Sequence, residues 1–203
     1  TIADIIEFVD GRFADFGATP AFATSVAPNN VVAHAGGVVC DENALGHRMI
    51  KIDCGASLDG YFTDSAITVD LDGTTLLSRA TEEALTEAIK VVRAGASVSN
   101  IGRAVQDTLY RYRFLPIANL GGHSIERNVI HAPPFIGNTY NIRAQKLVAG
   151  QIIAIEPLAT NGRGWCFKKP GSEALYEIEG SLVSHWEHTL LVTEDGCEVT
   201  TER

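Results

Sequence analysis

Apolar residues recur at helical spacing along the first segment of the chain, with Ile2, Ile5, Ile6 and Val9 on one face between Thr1 and Phe13. Thr1 stands where a hydroxyl caps a first turn, so the pattern predicts a helix from Thr1 to Phe13. A similar opening begins at Ser97, where Ser97-Val-Ser-Asn-Ile101 leads into Ile101, Val105 and Leu109 at the same spacing. A further helical run, Leu77 to Ala94, carries Ala84, Leu85, Ala88, Ile89 and Val92 and should end at Gly95. Runs rich in Ile, Val and Thr fill the intervals: Arg48 to Cys54, Tyr61 to Leu71, Gln151 to Glu156 and His185 to Val192. Bounded by Gly, Asp and Pro, they read as strands. Helices before strands, twice over, predict an α+β fold.

The two helix openings also match each other. Ser97-Val98-Ser99-Asn100-Ile101 lies over Thr1-Ile2-Ala3-Asp4-Ile5, and each stretch runs a nearly equal distance to a His-Ala pair, His34-Ala35 and His131-Ala132. This faint repeat suggests one domain over residues 1–203, with a first half at 1–75 and a second at 76–203. The run Leu77 to Ala94 has no counterpart ahead of Thr1, so a duplicate of the second half would lack its first helix.

Composition narrows the function classes. A chain of 203 residues buries one full core, and 45% apolar with 20% charged residues is a globular profile. The formal net charge is −9 and no Lys or Arg run forms a basic stripe, which argues against a nucleic-acid partner. Apolar runs such as Gln151 to Ile155 are far shorter than the ~20 residues of a membrane span. Cys40, Cys54, Cys166 and Cys197 are scattered, with no CxxC spacing, as expected of reduced thiols in a cytoplasmic protein. No signal peptide opens the chain, although a start at Thr1 rather than Met weakens any targeting argument.

Candidate chemistry begins with Asp53 and Asp64, which flank the turn signal Leu58-Asp59-Gly60. In a two-residue hairpin the two fall on one face, directly opposed if the loop is Leu58-Asp59 and diagonal if it is Asp59-Gly60, roughly 5 to 8 Å apart in Cβ. Two such acids among apolar residues repel each other unless a cation separates them, though solvated hairpin aspartates fit the segment as well. Further segments add donors. Gly121-Gly-His-Ser-Ile-Glu-Arg-Asn-Val-Ile-His131 presents two imidazoles, Glu156 ends an apolar strand ahead of Pro157, and Glu187 lies in the apolar run Trp186-Glu-His-Thr-Leu-Leu-Val192. Unpaired buried acids are costly, and metal coordination removes that cost. Four carboxylates and a histidine, without a thiolate, suit two divalent ions such as Mn, Fe(II), Co or Zn.

In these phrases the chain resembles the pita-bread metallopeptidases, and within them the methionine aminopeptidases, chiefly their type 2 branch. The resemblance rests on Lys51-Ile-Asp-Cys-Gly with Asp64-Ser-Ala-Ile-Thr, Gly122-His-Ser-Ile with Ile130-His-Ala, Ala154-Ile-Glu-Pro and Glu187-His-Thr-Leu-Leu, and it covers essentially the whole chain. It implies a fold of two pseudo-symmetric halves, with antiparallel sheet and flanking helices, around two metal ions. Asp64 and Glu187 would bridge the ions, Asp53 would complete one site, and His123 with Glu156 would complete the other. Glu156 would also help activate the bridging water. His34 and His131 would face the scissile amide, and Phe22 and Ile130 would line the methionine pocket. The implied activity is removal of the N-terminal methionine from nascent or short peptides, with the ribosome as a candidate partner.

The chain departs from the type 2 pattern between the last two acids. Type 2 enzymes carry a helical insertion there, whereas Glu156 and Glu187 are 31 residues apart here, the compact spacing of type 1. The insertion would fall near Tyr176-Glu177-Ile178-Glu179, and its absence leaves the depth of the substrate pocket open. Two alternatives remain: an Xaa-Pro aminopeptidase or prolidase, which shares the five-ligand pattern but typically has an arginine after the second aspartate, and a pita-bread binding module without catalysis.

Overall fold

Among the described residues three helices follow the apolar spacing, α1 (Ile2–Asp15), α2 (Leu77–Ile89) and α3 (Val98–Arg111), of which α1 and α3 open on a capping hydroxyl and α2 does not. Thr1 caps α1, its hydroxyl accepting from the Asp4 amide at 3.2 Å while the Asp4 carboxylate accepts from the Thr1 amine at 2.8 Å. Ser97 caps α3 through the Ser99 amide. The strands that matter to the site are, in chain order, β1 (Ser25–Pro28), β2 (Val31–Ala33), β3 (Met49–Cys54), β4 (Ser65–Asp70), β5 (Gly121–Glu126), β6 (Val129–Gly137), β7 (Ile152–Ile155), β8 (Leu175–Tyr176), β9 (Val183–His185), β10 (His188–Val192) and β11 (Cys197–Val199). The computed structural model describes residues 1–35, 49–142 and 145–202; Cys40 and the expected strand start at Arg48 lie outside them.

An antiparallel three-stranded sheet in the order β1-β3-β4 stands beside an antiparallel five-stranded sheet in the order β6-β5-β7-β10-β11. Their seam is polar. The Asp64 amide donates to the Thr189 hydroxyl at 2.7 Å, that hydroxyl donates back to the Asp64 carbonyl, and the Glu187 amide donates to the Ala66 carbonyl at 3.0 Å. Thr68 adds a second clasp, its hydroxyl accepting from the His185 amide and donating to the His185 carbonyl, both at 2.8 Å. The largest apolar cluster joins α2 and α3 to the five-stranded sheet through Leu77, Leu85, Ile101, Leu109, Ile153 and Leu190. Among the described residues no helix is long and apolar enough to cross a membrane.

Several expected elements differ from those observed. The helix expected to reach Ala94 ends at Ile89, because the Ala94 amide donates to the Thr193 carbonyl and the Gly95 amide to the Leu147 carbonyl, drawing the chain out of the helix. The run Tyr61 to Leu71 is two strands, Tyr61–Phe62 and β4, parted at Asp64. The run His185 to Val192 is likewise split, and Glu187 lies between β9 and β10 rather than inside a strand. At both breaks the backbone amide donates across the seam, Asp64 to the Thr189 hydroxyl and Glu187 to the Ala66 carbonyl.

The repeat has a structural counterpart 96 positions along. α1 is followed by Gly17 in the left-handed region, with the Ala18 amide bonded to the Phe13 carbonyl; α3 is followed by Arg113, also left-handed, with the Phe114 amide bonded to the Leu109 carbonyl. The short strands Thr19–Pro20 and Leu115–Pro116 come next in each case.

Candidate metal centre

The hairpin register fixes the first two acids. Leu58 pairs with Tyr61 across a turn at Asp59-Gly60, and Asp53 pairs with Ala66, so Asp64 lies diagonal to Asp53, the second of the two predicted arrangements. Asp59 and Gly60 both have positive φ, as a tight two-residue hairpin turn requires. On the other sheet His123 of β5 pairs with Ala154 of β7, and Glu156 follows the end of β7 directly. Gly122 lets the two strands approach, since a Cβ there would land on the Ala154 carbonyl oxygen. Glu187 enters from the break between β9 and β10.

The structure brings these five residues together. Donor atoms of Asp53, Asp64 and Glu187 lie within 4.8 Å of one another, as do those of His123, Glu156 and Glu187, so Glu187 belongs to both groups. His123 Nε2 is 3.5 Å from Asp64 Oδ2 and 3.8 Å from Glu156 Oε1. Its Nδ1 lies 3.1 Å from the Ser124 carbonyl oxygen, a contact that holds the proton on Nδ1 and leaves the Nε2 lone pair facing the acids. A third group, Asp64, His123 and His131, also meets the 4.8 Å limit, so His131 stands close enough to share a cation with them.

The donor set fits a metal better than it fits any protein partner. Asp53 Oδ1, Asp64 Oδ1 and Glu187 Oε1 are shut off from water and accept no hydrogen bond. Burial pushes the Asp53 carboxyl well above the usual carboxylate range, and the Asp64 charge adds to it. Glu187 is raised first by burial and then by Asp64, Glu156 and Asp53; Glu156 is raised first by burial and then by Asp64 and Asp53. Divalent cations between such oxygens remove both the repulsion and the missing hydrogen bonds.

A cavity of about 560 Å³ opens onto these acids. Phe22, His34 and His131 line it as expected, with Ala23, Ala33, Leu120 and Phe135. His34 follows β2 with positive φ, and the His131 ring packs edge-on against that of His123 at 4.4 Å between centroids. Burial lowers the pKa of both outer histidines, helped at His34 by Lys168 and at His131 by His123. Ile130 is not among the lining residues. It precedes His131 on β6 in a stretch where the register against β5 shifts, between Val129 and Ala132.

Several lining positions escaped the reading of the sequence, among them Leu120, Phe135 and His185. His185 is 2% exposed, and its Nε2 lies 3.4 Å from Glu187 Oε2 and 3.7 Å from Glu156 Oε2. Burial lowers its pKa to about 3, so the ring is neutral. A signal existed, because residues two apart in an extended chain share a face, and His185 stands two before Glu187. The stretch 176–179, where an insertion was expected, is tied inward. Tyr176 of β8 pairs with Val31 of β2, and the buried Glu177 carboxylate accepts from the Arg163, Gly164 and Ile178 amides and the Ser181 hydroxyl. Glu179 and Gly180 beyond it are exposed.

Comparison with known proteins places this geometry in context. The profile described as metallopeptidase family M24 matches residues 1–194. A methionine aminopeptidase of Archaeoglobus fulgidus is 35% identical, with 99% of this chain and 89% of that protein aligned. That alignment spans 259 positions against 203 residues here, so the relative contains segments that this chain lacks. One from Thermococcus onnurineus is 41% identical over 82% of this chain and 58% of its own length. The crystal structure of methionine aminopeptidase from Thermotoga maritima superposes with a TM-score of 0.89 at 29% identity, covering 100% of this chain and 86% of that one. The prolidase from Pyrococcus furiosus, at 20% identity and a TM-score of 0.75 over 99% of this chain and 56% of its own, shares the fold.

Proposed function

Because the chain belongs to metallopeptidase family M24, we propose that it removes the N-terminal methionine from peptides by hydrolysing the first peptide bond at a centre of two divalent ions. The observation that carries this reading is the pair of ligand groups sharing Glu187, in which Asp53 Oδ1, Asp64 Oδ1 and Glu187 Oε1 are buried without a hydrogen-bond partner. Asp64 and Glu187 would be shared by the two ions, Asp53 would help hold one of them, and His123 with Glu156 would help hold the other. The donor set suits Mn, Fe(II), Co or Zn. Such ions supply Lewis-acid polarisation of the scissile carbonyl and make water acidic enough to ionise near neutral pH.

The protein residues do the rest. Glu156 stands at the strand end between His123 and His185, placed to take the proton of the attacking water and return it to the departing amine. His34 and His131, held neutral by burial, donate hydrogen bonds to the scissile amide and to the developing oxyanion. Phe22, Ala23, Ala33, Leu120 and Phe135 give the first side chain an apolar bed with room for an unbranched thioether. We read the chain as a single catalytic domain whose halves, 1–75 and 76–203, each contribute acids to one site.

The test is release of the first residue from Met-Ala, Leu-Ala and Ala-Pro peptides. An apolar pocket separates Met from Leu by only about 1 to 3 kcal/mol, so a moderate preference for Met is expected. Faster cleavage of the Ala-Pro bond would replace this reading by an Xaa-Pro peptidase.

A further inference from the structure

His185 is the one imidazole near the acids that the five-ligand scheme and the two outer histidines leave without a task. Its backbone is locked by Thr68 on both sides, its side chain is 3% exposed, and neither ring nitrogen has a hydrogen-bond partner. The ring cannot swing out to water, so its nitrogens stay where the seam puts them. Nε2 faces Glu187 Oε2 at 3.4 Å and Glu156 Oε2 at 3.7 Å, a little beyond hydrogen-bonding reach of each. His123 addresses the other oxygen of Glu156, at 3.8 Å from Oε1. Glu156 is thus gripped from two sides by imidazoles that differ in one respect. The His123 Nδ1–H donates to the Ser124 carbonyl oxygen, which leaves Nε2 free to coordinate. No carbonyl takes a proton from His185 Nδ1, so the ring proton is free to sit on Nε2, where two carboxylate oxygens face it.

We propose that His185 is a positioning residue, donating an Nε2–H hydrogen bond shared by Glu156 Oε2 and Glu187 Oε2 and so orienting one acid of the histidine-containing site and the acid common to both sites. The inference rests on the metallopeptidase reading and deepens it. Outer partners of this kind fix the orientation of ligating carboxylates, and their loss typically weakens metal affinity about 10- to 100-fold. Because the donor holds the bridging acid as well, weakening should appear at both ions rather than one.

The experiment is calorimetric titration of the metal-stripped full chain with Co²⁺, comparing wild type, His185→Leu and His185→Gln, with circular dichroism as the check on folding. Leucine keeps the volume and removes the donor. Glutamine keeps an amide N–H near the place of Nε2 but is a poor ligand for transition ions. His185→Leu should bind Co²⁺ about 10- to 100-fold more weakly, and His185→Gln should bind within about threefold of wild type, with the same cobalt visible spectrum. Wild-type affinity in His185→Leu would overturn the proposal. Equal weakening in His185→Gln would also overturn it, pointing to direct ligation or shape alone, and this arm decides even if the leucine variant fails to fold. Failure of wild type to bind Co²⁺ at all would instead sink the metallopeptidase reading.

Discussion

The three-stranded and five-stranded sheets deliver acids to the same point, yet they differ in what lies opposite those acids and in what lies behind them. In the first half Asp53 is the penultimate residue of β3 and Asp64 directly precedes β4; in the second Glu156 follows β7 and Glu187 sits in the break before β10. Aligning Asp53 with Glu156 puts Lys51 over Ala154 and, through the strand registers, Ala27 over His123. One half therefore has an imidazole where the other has Ala27, and an alanine where the other has the buried Lys51. Duplicated backbone geometry gives four acids almost for nothing, but the histidine is private to one half. The two ions would then differ in kind, one held by oxygens alone and one by nitrogen and oxygen.

Asp64→Ala gives the largest effect expected from that asymmetry. A bridging acid touches both ions, so the variant should bind neither and lose more than about a hundredfold in turnover. His123→Ala removes a ligand of one ion only and should keep the all-oxygen site. Elemental analysis of the two variants measures the difference, and equal retention would remove the distinction between the sites.

The outer histidines come next. His131→Ala should lower kcat about 10²- to 10³-fold with little change in KM, the usual cost of losing one oxyanion donor. Its closeness to Asp64 and His123 makes metal content the necessary companion measurement. If His131→Ala sheds an ion and His123→Ala sheds none, the two roles are exchanged.

Acidity offers a third lever. Asp53, Glu156 and Glu187 have folded-state pKa values raised by burial and mutual repulsion, so the metal-free fold binds more protons than the unfolded chain. Its stability falls as pH rises from the ordinary carboxylate range through those raised values. Divalent ions bind the ionised acids and reverse the trend. The rise in Tm produced by Mn²⁺ should therefore be larger at pH 7.5 than at pH 5.5, and a rise independent of pH would show that the acids do not hold the ion.

The halves also differ in depth. α1 fully buries only Ile2 and keeps Phe8 and Phe16 exposed, whereas α2 and α3 enclose the largest apolar cluster. Leu109→Ala, within that cluster, should cost about 2 to 5 kcal/mol, and Ile6→Ala, half-buried on α1, clearly less. Denaturant melts of the two variants check this. Smallest of all should be Lys51→Met. Lys51 is buried, its pKa is well lowered by burial, and among the described residues its ammonium donates to the Asn29 carbonyl at 2.7 Å, so an apolar side chain of like volume should leave stability unchanged or raised.

Much of this was legible in the sequence, for reasons that mark where such reading stops. The starts of α1 and α3 follow from a hydroxyl ahead of spaced isoleucines, and the diagonal placement of Asp53 and Asp64 follows from counting across a two-residue turn. The breaks at Asp64 and Glu187 were not visible, because they arise from seam contacts between residues as far apart as Asp64 and Thr189. The end of α2 fails for the same reason, pulled out by Thr193 and Leu147. Ile130 was placed in the pocket by analogy with its phrase, and it is not among the residues that line the cavity. His185 looked like the start of a strand; only the meeting of two sheets shows that it faces two acids.

The central claim, that acids from both halves make one hydrolytic two-ion centre, is tested most directly by metal stoichiometry measured alongside Met-Ala hydrolysis during stepwise addition of Mn²⁺ to stripped protein. The account predicts uptake approaching two ions per chain, with activity rising from nil as the sites fill and lost again on chelation. Full Met-Ala hydrolysis by metal-free protein would contradict it, as would saturation at one ion unaffected by Asp64→Ala.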